Sequence, residues 1–204
     1  MSALMLKDWY VITKQMKVFL ILILFFSLIP NVTMTVFAIL YAAMLPISAM
    51  AYDERSKWDT LVRMMPYSPR DVVLSKYVMG YCGVGIAAAF SATVTAVKSI
   101  VTHSNAFEDF GITVLASICM ALVLLAIQTP MLISMGVEKG RMLFMIIFFV
   151  IFGALGFFFY MAEKQSLAKP SLTNLVFGII FAATILANVI SIVISIHCYQ
   201  HKKD

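Results

Sequence analysis

The 204 residues predict an all-α polytopic membrane protein. Hydrophobic residues make up 62% of the chain and charged ones only 12%, with a mean hydropathy of +0.97, so the charge that a water-exposed surface requires is missing. Apolar runs long enough to cross a hydrocarbon core of about 30 Å, which takes roughly 20 helical residues, can be drawn six times. Between the second and third of them lies a polar island, Asp53 to Tyr77, holding five of the fifteen basic residues and four of the ten acidic ones.

Taken in order, the chain reads as one transmembrane domain over residues 1–204, with an interfacial helix over 1–16. Leu6, Trp9, Tyr10, Thr13 and Met16 fall on one side of that helix and Lys7, Lys14 and Gln15 on the other, a pattern suited to the membrane surface. The alternative is that this stretch only leads into the first span. The spans are expected at about 10–30, 31–51, 77–97, 111–135, 142–161 and 175–196. Lys14 and Lys17 in the first must snorkel, or that span begins later and is short. Pro30-Asn31 reads as a tight outer turn, and Pro46 and Thr129-Pro130 as kinks in the second and fourth spans. Gly80, Gly83 and Gly85, and the pair Gly153 and Gly156, offer places for close helix approach.

Basic residues outside the spans set the orientation. With the N-terminus inside, Lys7, Lys14, Lys17, Arg55, Lys57, Arg63, Arg70, Lys76, Lys139, Arg141, Lys202 and Lys203 are cytoplasmic, and only Lys98, Lys164 and Lys169 lie outside. Six spans then return the C-terminus to the cytoplasm. The formal charge of +5 is a topology signal, and no soluble basic face for nucleic acid is present. The first apolar run has no small-x-small cleavage site and is expected to stay. Cys82, Cys119 and Cys198 are odd in number and lie in or near spans, which favours buried thiols over a disulfide framework or a metal site.

Within the island, Trp58, Leu61, Val62 and Met65 recur at i, i+3, i+4 and i+7, an apolar stripe on a helix of about three turns. Arg55, Asp59 and Arg63 repeat at spacing four on another face. Pro66 ends that helix because it lacks an amide hydrogen and clashes with the preceding turn. Ser68-Pro69-Arg70-Asp71 starts the next, with Ser68 as cap, Pro69 at the first helical position and Asp71 placed to reach back. Helix, corner and helix together suit a lever between a soluble partner and the spans. The plainer reading is a loop helix lying on lipid.

The segment from Asp53 to Tyr77 resembles the one after the second span in permease subunits of ATP-binding-cassette exporters of the ABC type 2 family. There an acidic pair and a Trp lead into Leu-Pro-x-Ser-Arg-x-Asp-x-Val-x-x-Lys-Tyr. Asp53, Glu54, Trp58, Pro66, Ser68, Asp71, Val73, Lys76 and Tyr77 match it; Met65 replaces the Leu, and Pro69 stands where the Arg is usual, with Arg70 beside it. The resemblance implies that residues 53–76 form a coupling segment seated on a separate ATPase subunit, with Asp53, Glu54, Trp58, Leu61, Arg63, Tyr67 and Arg70 as contact residues. Asp53 and Glu54 also suit capping of a helix N-terminus, favoured by its dipole.

No phosphate-cradling G-x-x-x-x-G-K-[ST] loop occurs, so no cofactor is expected in this chain, and ATP and Mg belong to the partner. The implied machine has two ATPase subunits and a second copy of this permease or a relative, in a bacterial cell membrane. The short chain is similar to permeases that export amphipathic peptides of the phenol-soluble modulin type, and the short outer loop from Ala162 to Asn174 argues against a polysaccharide cargo. No Lys, Arg, Asp or Glu lies near mid-bilayer, which disfavours proton coupling and leaves an apolar or amphipathic substrate such as a peptide toxin, an antimicrobial peptide or a lipid.

Three rival readings compete. A substrate-binding subunit of an energy-coupling uptake system would present an Ala-x-x-x-Ala face early, yet Val18 to Ile29 contains no Ala. An intramembrane enzyme would need catalytic dyads or H-E-x-x-H within the spans. A bacteriocin immunity or accessory protein would need no ATPase.

Overall fold

The computed structural model describes residues 2–15, 17–29, 32–102, 107–147, 149–150 and 170–201. Among them every regular element is helical: α1 (Ser2–Gln15), α2 (Lys17–Leu28), α3 (Val32–Ala42), α4 (Leu45–Arg55), α5 (Trp58–Arg63), α6 (Pro69–Thr102), α7 (Phe107–Met135), α8 (137–147) and α9 (Pro170–His201). Continuous apolar runs of about 20 residues suit helices, because lipid offers no partner for backbone N–H and C=O groups and a helix satisfies them internally.

Among the described residues four stretches are long and apolar enough to cross a membrane: Met34–Arg55, Pro69–Val97, Thr113–Met135 and Phe181–His201. They correspond to the second, third, fourth and sixth expected spans. The first expected span is divided instead between α1 and α2, and the 12 residues of α2 reach only about 18 Å at the α-helical rise. Of the fifth, residues 142–147 are helical. Its remainder from 151, Gly153, Gly156, most of the expected outer loop, Pro30-Asn31 and His103 lie outside the described residues.

Pro46 divides the second span. Helix α3 stops at Ala42, residues 43 and 44 turn, and α4 starts with Pro46 in its first turn, where the missing amide is tolerated. The freed backbone is bonded from elsewhere: Gln128 Nε2 on α7 donates to the Ala43 carbonyl at 2.6 Å. Pro130, by contrast, lies inside a continuous α7.

Small residues draw α6 against this broken span. A Cβ on Gly80 would sit 2.7 Å from Leu125 Cδ2 and 3.0 Å from Pro46 Cγ, and one on Gly83 would sit 2.6 Å from Leu45 Cδ1. These two glycines therefore serve close approach as expected, whereas Gly85 faces open space. Ala42, Ala43, Ala49, Ala87, Ala88 and Ala121 complete the same core with Ile39 and Leu125. In lipid, such close packing replaces the hydrophobic drive that water would supply. Cys82 is exposed and Cys119 and Cys198 are half-buried. The expectation of buried thiols is thus corrected, since Cys82 falls on an outward face of α6.

A polar seam joins α6, α7 and α9. Thr184, Asn188, Ser191 and Ser195 are buried on one stripe of α9, while Ile185, Leu186, Val189, Ile190, Val193 and Ile194 face outward. The Tyr77 hydroxyl bonds Ser191 and Ser195, Tyr81 donates to Asn188 Oδ1 at 2.9 Å, and Asn188 Nδ2 donates to the Leu122 carbonyl at 3.2 Å. Interhelical bonds of this kind contribute on average about 0.6 kcal/mol each in membranes. The seam sets register more than it sets stability.

Candidate functional site

At one end of the bundle the polar island folds back on α1. Helix α4 ends at Arg55, and the chain reverses at Ser56 and Lys57, the latter in the left-handed region at φ 52°. The reversal starts α5 at Trp58 and moves Arg55 onto a different helix from Asp59 and Arg63, so the expected spacing-four charge face does not form. Helix α5 is six residues long, shorter than the three turns expected, because this reversal limits one end and the 64–66 turn with Pro66 limits the other. Helix α6 then begins at Pro69 as expected, with the Arg70 amide donating to Ser68 Oγ at 3.4 Å.

The apolar stripe of the island divides between two faces. Val62 is buried with Leu4 of α1 and Val72 of α6, and Trp58, Tyr67 and Tyr199 pack around them. Leu61, Met64 and Met65 point away and are 46%, 80% and 40% exposed. Arg70 is exposed and Tyr67 half-buried. Arg63 closes α5, and its side chain, like that of Asp59, lies outside the described residues.

Beneath α5 four charges close a ring. Lys7 Nζ lies 2.7 Å from Asp53 Oδ1, Asp53 Oδ2 lies 2.5 Å from Lys76 Nζ, and Asp8 Oδ1 lies 2.9 Å from both Lys76 and Lys7. Asp8, Asp53 and Lys76 are buried. Lys7 also sits over the Trp58 ring at 4.4 Å, an attraction of ammonium and π face. Burial opposes ionisation of Asp8, but the neighbouring Lys76 and Lys7 ammoniums prevail and hold its carboxyl below its ordinary value. The ring ties α1, α4, α5 and α6 into one body with no net charge.

Glu54 adds a tie to a fifth element. Its Oε2 accepts the Val137 amide at 2.9 Å, capping the start of α8 from another helix. Between α7 and α8 stands Gly136 at φ +80°, whose amide donates to the Leu132 carbonyl as the terminating turn of α7. A cavity of about 60 Å³ lies among Asp53, Glu54, Lys76, Gly136, Val137 and Tyr199, room for water at this joint. Val137→Pro removes the capped amide while leaving a residue favoured at the first helical position. Glu54→Ala should cost about 1 kcal/mol and nothing more once Val137 is Pro; a denaturation double-mutant cycle with additive losses would refute the cap.

Of the seven residues expected to meet a partner, the structure places Leu61 and Arg70 outward. Trp58 and Tyr67 brace α5, Glu54 caps α8, and Asp53 faces inward with both carboxylate oxygens engaged. Asp8 went unseen in the sequence; its only signal was a Lys-Asp pair inside an otherwise amphipathic stretch. The α9 seam was also passed over, although its polar residues recur at helical spacing in an apolar run.

A bundle of helices long and apolar enough to span lipid, with most of the charged residues among those described gathered toward one end, defines a multi-pass membrane protein. The model of the family described as ABC-2 family transporter protein matches residues 3–200, and the chain belongs to that family. It is thus of the kind that forms the membrane component of a transporter. Neither a search of curated proteins nor one of solved structures returned a match.

Proposed function

We propose that the chain is the permease subunit of an ATP-driven exporter and that α5 is its coupling helix, seated on a separate ATPase subunit. The observation carrying this reading is that α5 turns Leu61, Met64 and Met65 outward while Trp58 and Val62 anchor it to α1 and α6. Exposed apolar side chains on a braced element suit docking, and the charge ring below carries a push on α5 into α4 and α6. In this reading six spans cross the cell membrane of a bacterium, both termini are cytoplasmic, and α1 lies at the interface with Leu6, Trp9 and Tyr10 outward. Two ATPase subunits bind ATP and Mg, and a second copy of this chain or a related permease completes the path. The cargo is apolar or amphipathic, a peptide toxin, an antimicrobial peptide or a lipid-like molecule, in keeping with the scarcity of charge along the spans.

Co-purification with the cognate ATPase tests the docking. Met64→Glu with Leu61→Glu should reduce binding at least about tenfold, the effect of losing a central apolar anchor, without changing the melting temperature of the permease. Undiminished binding would exclude α5 as the docking element. ATP-dependent accumulation of an amphipathic helical peptide in inside-out vesicles tests the cargo, and accumulation of a fluorescent lipid instead would reassign it.

A further inference from the structure

Near the C-terminal end of α9 two histidines stand four residues apart. His197 and His201 are both exposed, and their rings lie side by side with centroids 4.3 Å apart and planes inclined at 39°. Residues at this spacing share one face of a helix, one turn above the other. The Nδ1 of His201 lies 3.0 Å from the His197 carbonyl. A carbonyl oxygen can only accept, so in this contact Nδ1 carries the proton and, in the neutral ring, Nε2 is left with its lone pair. A backbone carbonyl holding one ring nitrogen so that the other is free is also the arrangement that orients metal-binding imidazoles.

We propose that His197 and His201 form a two-imidazole chelate for a borderline divalent transition cation, Cu²⁺, Ni²⁺ or Zn²⁺. No group of three metal-ligating side chains gathers among the described residues, so the protein supplies two nitrogens and water completes the coordination. Imidazole donors select these ions over Mg²⁺ and Ca²⁺, which require oxygen ligands, and the affinity order should place Cu²⁺ first. Bound metal pins the final turn of α9. That turn holds Tyr199, which packs with Leu4, Val62 and Val72, so occupancy stiffens the seat of α5. The chelate stands independently of the transporter reading.

The full chain in detergent, titrated with Cu²⁺ and followed by electron paramagnetic resonance, tests the site. One tight equivalent with coupling to two nitrogens is expected, and His197→Ala or His201→Ala should each weaken it at least about tenfold. His103→Ala should leave it unchanged. Moving the first histidine beside the second, with His197→Gln and Gln200→His together, keeps the number of imidazoles but breaks the shared face, since adjacent helix positions do not face each other, and should abolish tight binding. Cu²⁺ should also raise the melting temperature of the natural chain and of His103→Ala, but not of the variants altered at His197 or His201. Equal affinity in the spacing variant, or a tight site that survives either single alanine, would overturn the chelate.

Discussion

Lys76→Met should destabilise the protein by about 3–5 kcal/mol, the cost of breaking a buried ion pair from one side. The substitution leaves two buried carboxylates, Asp8 and Asp53, sharing the single ammonium of Lys7, and the excess buried negative charge forfeits its solvation without compensation. Adding Asp8→Asn should recover part of the loss, because the double variant restores a neutral ring of Lys7 and Asp53; coupling in the double-mutant cycle is then well above additivity. Thermal unfolding in detergent measures both, and additive losses would show that the ring is not one unit. The natural ring has a pH signature as well. Asp8 is held below its ordinary value in the folded chain, so its contribution is fully present above about pH 3.9 and is lost as the pH falls through the lower folded value. Acid destabilisation in that range should diminish in Asp8→Asn.

The second large effect is expected at Gly140. A Cβ there would meet Leu132 Cα at 3.0 Å and the Met131 carbonyl at 3.1 Å. Both are backbone of α7 and cannot turn aside as a side chain can, so Gly140→Ala should force α8 away from α7 and cost about 1–3 kcal/mol, as overpacking does. At Gly80 the opposing atoms are mainly a leucine methyl and a proline ring carbon, and the alanine variant there should be milder. Comparison of the two melting temperatures is decisive, and an equal or smaller loss at Gly140 would contradict the backbone contact. Displacing α8 also strains the Glu54 cap on Val137, so Gly140→Ala should weaken communication between α4 and α8 along with stability.

Much of this architecture is legible in the order of the residues. The apolar runs around Pro46, Tyr77 to Val97, Gly111 to Met135 and Leu175 to Ile196 announced helices long enough to span, because length and hydropathy are local properties. Pro46, Pro66 and Ser68-Pro69 mark breaks for an equally local reason, the missing amide of proline, whereas Pro130 lies within a continuous α7, so the residue type alone does not tell a break from a tolerated proline. The length of α5 is not legible in the sequence, because periodicity alone does not encode the left-handed turn at Lys57. The division of the Trp58 to Met65 stripe was hidden too, since a stripe says that one face is apolar but not which of its residues meets a neighbour.

Composition and periodicity thus decided the helical membrane character of the chain, places where its helices break, and the charged segment that separates two of its apolar runs. Tertiary contact alone decided the use of the charges. Lys7 and Asp8 lie far in sequence from Asp53 and Lys76, and their ring exists only because α1 packs against α4 and α6. The same is true of Glu54, whose partner is an amide 83 residues away. Ion pairing at 2.5 to 2.9 Å depends on positions in space, and nothing in the local order of residues records them.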